Sequence, residues 1–296
     1  MSTPFKEVWQ SFTPKARLRK LKKRPPAWLY PYRVESEYRS YINSMLTEME
    51  SPIKTLVNNP NVVQGINALT RTDAEDWNDE LFRDLDNMSG AFNPADIDRK
   101  MLELFGKTDD ANAKEWTKYQ RSMVGIHFFG SEEWINPFAK VWVSRNHTLI
   151  TSLASDVVKK VELEISNGIL AGKSHKTIAK DLYGDGGVID GQRYRATLIA
   201  RDQVSKLNGA LTKKRQQDGG LELYTWRDAS DERVRKSHQA NDGKVFDWNK
   251  PPATGHPSED IQCRCYAEPL MIFDLTKSQK DDLIGFPAQE IFSKVA

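Results

Sequence analysis

Two cysteines and two histidines in the last third of this chain could together bind a metal ion. Cys263 and Cys265 are the only cysteines among 296 residues, and His238 and His256 lie upstream of them. Thiolates and imidazoles are the ligands that zinc takes in structural sites, where four of them surround the ion as a tetrahedron. These four residues are therefore a candidate structural zinc site.

The one-residue spacing of the cysteines sets a condition on the fold. In a regular strand, residues i and i+2 share a face, but their Cβ atoms lie about 6.5 Å apart. We therefore expect the chain to bend at Arg264, so that both sulfur atoms can reach one ion. The alternative is that Cys263 and Cys265 are two small buried thiols in a compact turn, with His256 an ordinary surface residue.

The residues before His238 predict a short helix over residues 231–239. Asp231, Arg235 and His238 would share one face of it, because they are spaced by four and three. One interpretation is an ordinary ion pair on a solvated face. The other is that Arg235 reaches a carboxylate or carbonyl of the C-terminal strand and His238 points at the cysteines. In that second interpretation, Asp231, Arg235 and Trp226 support the cluster structurally.

An enzymatic alternative uses the two histidines. His238, Asn249 and His256 follow the residue order of a metal-dependent nuclease finger, but prolines crowd the place where that motif needs a helix. The chain has no GxGxxG or GxxxxGK[ST] phosphate-binding motif, no HExxH and no nucleophile elbow. We therefore expect no catalytic residues and no nucleotide cofactor.

The composition is that of a globular and rather polar protein, with 39% hydrophobic and 28% charged residues. A net charge of +2 argues against a molecule that binds polyanions over its whole surface. No apolar run has the roughly 18 residues that a membrane helix needs, and the first residues lack the apolar core of a signal peptide. We therefore expect a chain kept in a reducing cytosol, with thiols free to bind a metal.

Positive charge is concentrated near the start of the chain. Seven basic residues lie within ten positions: Lys15, Arg17, Arg19, Lys20, Lys22, Lys23 and Arg24. Because like charges repel and the prolines that follow block a continuing helix, residues 1–34 are predicted to be a basic arm with interleaved aromatic residues. This arm is either a solvated tail that orders on a partner protein or a segment that contacts nucleic-acid phosphates.

Hydrophobic spacings of three and four residues predict a mainly helical chain. The predicted helices cover residues 35–58, 76–88, 94–105, 115–129, 146–170, 175–183 and 193–217, with Gly106 as a stop and Ser174 as an N-cap. After Gly219 the period changes to two, and strands are predicted over residues 221–226, 244–246 and 263–271.

This order of elements predicts an α+β fold, in which a mainly α-helical N-terminal region is joined to a small α+β C-terminal module. The predicted segments are the arm (1–34), a helical region (35–187), the module with the His/Cys cluster (188–272) and a C-terminal tail (273–296). The tail is either exposed or a packed terminal helix.

The C-terminal part of the chain resembles the phage Mu protein F-like minor head proteins, the phage head morphogenesis family. The resemblance covers about residues 145–270. It is carried by Ala200, Arg201, Asp202, Gln203, Asn208, Trp226, Arg227, Asp231, Arg233, Val234, Arg235, His238, Asp242, Gly243, His256, Pro257, Cys263, Arg264 and Cys265.

The resemblance implies a minor capsid (head) protein of a tailed phage, associated with the portal vertex and acting in procapsid or head assembly. It implies contacts with the portal protein, with major capsid or scaffold protein, or with packaged DNA. It also implies a place inside the phage head after assembly in the host cytoplasm. Some family members carry a toxin or ADP-ribosyltransferase domain after the cysteines. The residues that follow Cys265 here are too few for such a domain, so we expect no enzyme.

Overall fold

The structure is a computed structural model that describes residues 3–22, 25–68, 75–90, 92–128, 130–273 and 275–291. Contacts divide the chain into two compact units, of which the first contains residues 1–34, 105–137 and 202–296. The second contains residues 35–104 and 138–201. The four segments predicted from the sequence are consecutive ranges, whereas these units each combine separate parts of the chain. The four segments therefore stay a prediction.

Helices make up most of the described chain. They are α1 (Pro4–Ser11), α2 (Pro14–Lys22), α3 (Tyr32–Val57), α4 (Pro60–Asn67), α5 (Glu75–Asn87), a 3-10 turn (Met88–Gly90), α6 (Pro94–Val124), α7 (Ile135–Leu170), α8 (His175–Tyr183), α9 (Val188–Asp218), α10 (Lys236–Gln239), α11 (Lys277–Asp281) and α12 (Ala288–Ile291). The predicted N-cap is confirmed, because the Ser174 hydroxyl accepts a hydrogen bond from the Thr177 N–H at 3.3 Å. Across the described ranges, no helix combines the length and apolar character needed to cross a membrane.

The long helix α6 corrects two predictions. Gly106 does not end a helix, and no separate helix begins at residue 115, because α6 runs unbroken through both positions. A glycine inside a helix costs only about 1 kcal/mol relative to alanine. The burial of Leu104, Phe105 and Trp116 along α6 outweighs that cost.

The helix predicted over residues 146–170 begins earlier than expected, at Ile135. Pro137 lies in its first turn, where a missing N–H costs no intrahelical hydrogen bond. Residues 135–145, for which no helix was predicted, are therefore helical.

In the described chain, a small antiparallel sheet begins after the long helix α9, as the change of period predicted. Its strands are β1 (Leu223–Arg227), β2 (Val245–Asp247) and β3 (Tyr266–Pro269), in the order β2-β1-β3. The register places Tyr224 opposite Phe246 and Trp226 opposite Ala267. The third strand is shorter than predicted, so both cysteines precede it in a loop. The predicted α+β class, mainly helical with a small sheet near the C-terminus, is confirmed.

The helix predicted over residues 231–239 is wrong in its first half, because only Lys236–Gln239 are helical. Asp228 accepts hydrogen bonds from the backbone and hydroxyl of Ser230, and Asp231 accepts one from the Arg233 N–H. These side-chain contacts stabilise turns in place of a helix. Asp231 therefore does not share a helix face with His238.

In the first unit, a core of aromatic side chains includes residues of the predicted arm. Phe5, Trp9 and Trp28 are buried against Trp116 and Tyr119. The structure thus differs from a solvated arm, because these aromatic residues supply enough apolar surface to fold residues 3–22 and 25–34 onto the unit. The same unit buries part of the predicted tail, where Leu283, Ala288 and Ile291 pack beside β1 and β2 residues Leu223 and Val245.

In the second unit, α3 and α7 share a buried polar contact within an apolar core. The Tyr38 hydroxyl donates to Oδ1 of Asn146 at 2.8 Å, and both side chains are fully buried. Tyr38, Ile42 and Met49, which the helical spacing placed on one face of α3, are all buried. The periodic apolar positions therefore do form the core of this unit.

Candidate functional site

Three of the four predicted metal ligands meet inside the first unit. Nδ1 of His238 lies 3.4 Å from Sγ of Cys263 and 3.5 Å from Sγ of Cys265. The donor atoms of the three residues all lie within 4.8 Å of one another, and all three side chains are buried. The loop before β3 thus holds the two sulfur atoms closer together than the roughly 6.5 Å between Cβ atoms two residues apart in a regular strand. Two thiols and an imidazole in this arrangement can bind a soft metal ion.

A charged cluster lies on the other side of the His238 ring. Nε2 of His238 is 3.4 Å from Oδ2 of Asp260, a separation too long for a strong hydrogen bond. Arg235 pairs with Asp260 at 3.2 Å and donates to the backbone carbonyl of Ile261 at 2.7 Å. Arg235 thus links the start of α10 to the loop that carries the cysteines.

Ser258 donates a hydrogen bond to each of the two cysteine residues in this loop. Its backbone N–H donates to Sγ of Cys263 at 3.4 Å, and its hydroxyl donates to the Cys265 carbonyl at 2.8 Å. Ser258 adopts a positive φ of 73°, a conformation unusual for a residue with a side chain. These contacts fix the direction in which the Cys263 sulfur points.

Helix α9 forms hydrogen bonds with the loop that carries the cysteines. The Ser205 hydroxyl donates to the Cys263 carbonyl, and Oδ1 of Asp202 accepts from the Gln262 N–H at 3.0 Å. Further along α9, Gly209 leaves room for Ser258 to approach the helix closely. The sulfur atoms are therefore positioned by a long helix as well as by their own loop.

His256 does not join the cluster. Its Nδ1 lies 2.8 Å from the Tyr224 hydroxyl and its Nε2 lies 3.1 Å from the Trp248 carbonyl. The side chain is buried, so it is not the surface residue of the alternative interpretation either. Burial, followed by the nearby Lys213 charge, lowers the pKa of His256. It is a neutral core residue with both ring nitrogens engaged.

The other predicted structural residues surround the site. Asp231 pairs with Arg264, the residue between the cysteines, and Arg264 also donates to the Tyr32 hydroxyl at 3.2 Å. Trp226 is fully buried, and its ring meets the His238 ring edge-on with the centroids 5.2 Å apart. Arg264 is thus held by an ion pair with Asp231 that the helical spacing had not predicted.

The two thiols have opposite pKa shifts. A hydrogen bond from the Cys265 thiol lowers the pKa of Cys263 to about 6, and the Ser258 N–H acts in the same direction. The same hydrogen bond and burial raise the pKa of Cys265. Cys263 is therefore the sulfur that carries negative charge most readily, and a thiolate is the form that binds metals.

The basic residues of the predicted arm belong in part to helix α2. Lys15 and Arg19 are exposed on it, while Arg17 donates to the carbonyls of Phe12 and Gln10. Lys20 stacks over the Phe12 ring, with Nζ 4.7 Å from the centroid. The side chain of Lys22 and the residues Lys23 and Arg24 lie outside the described part of the chain.

Sequence reasoning missed several residues that position the site: Asp202, Ser205, Ser258, Asp260 and Gln262. Only Asp202 carried a signal, because it stands in the Arg201-Asp202-Gln203 motif of the resemblance. The other side chains are common loop or helix residues, and nothing in their spacing connects them with the cysteines.

A comparison with protein families matches the part of the chain that contains this site. A family model described as phage Mu protein F like protein matches residues 159–268, which include α10, β1, β2, the first three residues of β3 and both cysteines. A Haemophilus influenzae protein described as uncharacterized is 39% identical over 127 residues. That alignment spans 43% of this chain and 28% of the relative's own length. None of the solved structures matches this chain significantly.

The matched residues contain the same motifs that carried the resemblance in the sequence, and the structure brings many of these motif residues together around one loop. The predicted resemblance is confirmed: residues 159–268 of this chain are similar to the phage Mu protein F-like proteins.

Proposed function

We propose that this chain is a minor head protein of a tailed phage, which acts in procapsid or head assembly at the portal vertex and has no catalytic role. The observation that carries this proposal is the family match over residues 159–268. The family's role in head morphogenesis supports a place in the virion. Contact with the portal protein, with major capsid or scaffold protein, and retention in the head with DNA are the finer parts of the proposal.

The arrangement of side chains supports a structural role. His238, Cys263 and Cys265 face one another inside the unit, and His256 is engaged by Tyr224 and Trp248. A nuclease that used His238 and His256 together would need both rings at one exposed metal or phosphate. The two histidines instead have separate buried environments, so the nuclease alternative gains no support from their geometry.

The decisive experiment places an amber codon early in the gene, within the phage or prophage that encodes this chain. We expect the mutant to yield few infectious particles, and electron micrographs of its lysate to show aberrant or unfilled heads. Quantitative mass spectrometry of purified wild-type procapsids should find this chain at a low copy number relative to the major capsid protein.

Complementation from a plasmid provides the control. The wild-type chain should restore infectious heads, whereas a copy that lacks residues 159–268 should not. Normal yields of DNA-filled, infectious heads from the amber mutant, combined with absence of the chain from purified procapsids and virions, would overturn the proposal.

The nuclease alternative has its own test. Purified chain is incubated with supercoiled plasmid and Mg²⁺, Mn²⁺ or Zn²⁺, and the plasmid should remain intact in every reaction. Cleavage that disappears in both the His238→Gln and the His256→Gln variants would make the chain an enzyme.

A further inference from the structure

We propose that His238, Cys263 and Cys265 form a three-residue site for a soft divalent metal ion, with Zn²⁺ the expected ion, and that His256 is not a ligand. In this site Nδ1 of His238 binds the ion, and Asp260 orients the ring from outside. The site does not depend on the proposed role in the phage head, since it rests on the geometry of one loop and one short helix.

The distances between the donor atoms match a zinc centre. With zinc–sulfur bonds of about 2.3 Å and zinc–nitrogen bonds of about 2.0–2.1 Å at tetrahedral angles, a sulfur and a nitrogen ligand lie about 3.6 Å apart. Nδ1 of His238 lies 3.4 Å from one sulfur and 3.5 Å from the other. The histidine nitrogen therefore lies at nearly the separation from each sulfur atom that one shared ion requires.

The second nitrogen of His238 provides an independent observation. Nε2 is buried and has no hydrogen-bond partner among the described residues, although Oδ2 of Asp260 lies 3.4 Å away. When Nδ1 binds a metal, the proton of a neutral imidazole must sit on Nε2. A carboxylate that receives this proton is the usual outer partner of a metal-binding histidine. Asp260 is in place for this role.

The ligand chemistry favours a thiophilic ion over a hard one. Two sulfur atoms and one nitrogen suit Zn²⁺, whereas Mg²⁺ and Ca²⁺ take oxygen ligands. The Ser258 N–H donates to Sγ of Cys263 at 3.4 Å, which stabilises a negatively charged sulfur. All three ligands are buried, so the ion would be shielded from competing water.

An ion here would add a second link between α10 and the cysteine loop, beside the contacts of Arg235 with Asp260 and Ile261. His238 belongs to the four-residue helix α10, and both cysteines belong to the loop that enters β3. Binding would tie the two together in a unit with only a three-stranded sheet, and metal binding of this kind adds directly to folding stability. A tetrahedral ion has four coordination positions, so His238, Cys263 and Cys265 leave one position for another ligand.

The first test measures bound metal in the full chain, purified without chelators. Elemental analysis should find about one zinc per chain in the wild type, as expected for one site. The His238→Gln and Cys263→Ser variants should lose it, whereas the His256→Gln variant should keep it. The contrast between the two histidines separates this site from a Cys2His2 set that includes His256.

A second test does not depend on variants that could unfold. The wild-type chain is stripped of zinc and titrated with Co²⁺, whose absorption reports its ligands. Thiolate-to-cobalt charge-transfer bands and strong visible bands of a tetrahedral ion should appear at one equivalent and disappear on addition of Zn²⁺.

A third test addresses Asp260, whose side chain is 39% exposed and can be changed with little effect on the core. Asp260→Asn should weaken zinc binding by about 10–100-fold while leaving the fold intact, as judged by circular dichroism. The matched control is Asp281→Asn, which removes a carboxylate of similar exposure, 43%, and should leave zinc affinity unchanged.

Three results would overturn the proposal. One is a folded wild-type chain that binds neither zinc nor cobalt while its thiols are free, which would make the cluster a thiol–imidazole hydrogen-bond network. Another is a mass two hydrogens lower than expected, which would show a disulfide between Cys263 and Cys265. The last is loss of zinc in the His256→Gln variant at unchanged circular dichroism.

Discussion

A Cβ atom added to Gly209 would lie 2.6 Å from the Cβ atom of Ser258 and 3.1 Å from the Pro257 carbonyl oxygen. Helix α9 therefore touches the loop that carries Ser258 through the one residue type that lacks a side chain. Because Ser258 in turn bonds to both cysteine residues, this contact helps to fix the position of the cluster.

Gly209→Ala should destabilise the first unit by about 1–3 kcal/mol, because the added methyl group must displace the loop backbone. Gly106→Ala is the matched control: Gly106 is also in a long helix, but nothing lies within 4 Å of its added Cβ atom. That change should stabilise the chain by about 0.4–1 kcal/mol through helix propensity and lower unfolded-state entropy. Urea or thermal unfolding measures both, and effects of the same sign would contradict the structure.

Arg215 should be among the least replaceable charged residues in the chain. Its side chain is only 2% exposed, and the guanidinium lies 2.7 Å from Asp109, 2.8 Å from Glu132 and 2.8 Å from Asn112. Arg215→Ala leaves two partly buried carboxylates without their cation and should cost about 3–5 kcal/mol. Burial already raises the pKa of Asp109, so this carboxyl should take up a proton more readily in the variant.

The control for Arg215 is Lys250→Ala. Lys250 pairs with Asp281 at 3.0 Å, but its side chain is 65% exposed, so removal should change the free energy of unfolding by less than about 1 kcal/mol. Comparable destabilisation in the two variants would show that the ion pairs of Arg215 are exposed to water rather than buried.

Acid should destabilise the first unit partly through His256. Its pKa is lowered in the folded state by burial and by Lys213, relative to about 6.5 in an unfolded chain. Between those two values the unfolded state binds more protons than the folded state, so stability falls as the pH drops through and below about 6.5. Protonation of Nδ1 would also break the hydrogen bond that it accepts from Tyr224.

The measurement compares unfolding free energies near neutral pH and near pH 5 in the wild type and in His256→Gln. The variant should be less stable at neutral pH but lose less stability on acidification, so the difference between the two proteins should shrink. Lys213→Gln should also soften the acid transition, because it removes a positive charge that disfavours the protonated ring. A constant difference at both pH values would show that His256 does not titrate in this range.

If helix α2 meets packaged DNA, its exposed charges should control that binding. Lys15→Glu with Arg19→Glu should weaken binding to duplex DNA and reduce the slope of log affinity against log salt by about one for each phosphate that is no longer neutralised. The control is Lys176→Glu with Lys180→Glu, an equal charge change on exposed positions of α8. Equal weakening in the two double variants, or no binding by the wild type at physiological salt, would exclude α2 as a DNA-binding segment.

Deleting residues 1–26 would be a less informative test of DNA binding, because the deletion also removes the buried side chains of Phe5 and Trp9.

The sequence predicted the helices and strands well where a single local signal determined the backbone conformation. The repeat of apolar residues in α3 and α7, the serine cap of α8 and the change of period before β1 each indicated an element that the structure contains. These signals are local, because they depend on side-chain spacing and on hydrogen bonds within one turn.

The sequence failed where a local preference competed with packing. Gly106 is a plausible helix stop, but buried neighbours keep α6 continuous. Asp231, Arg235 and His238 have helical spacing, but Asp228 and Asp231 bond to nearby N–H groups and form turns before Lys236. The basic residues near the start predicted an arm, either solvated or in contact with nucleic-acid phosphates, but aromatic residues around them fill a core.

By itself the sequence determined the composition of the candidate site: two cysteines one residue apart, two histidines upstream, and the motifs shared with the phage Mu protein F-like proteins. Only the tertiary structure decided that His238 faces the sulfur atoms while His256 bonds to Tyr224 and Trp248. The physical reason is that the two rings are chemically identical, and their roles differ only through the loop, sheet and helix that surround each one.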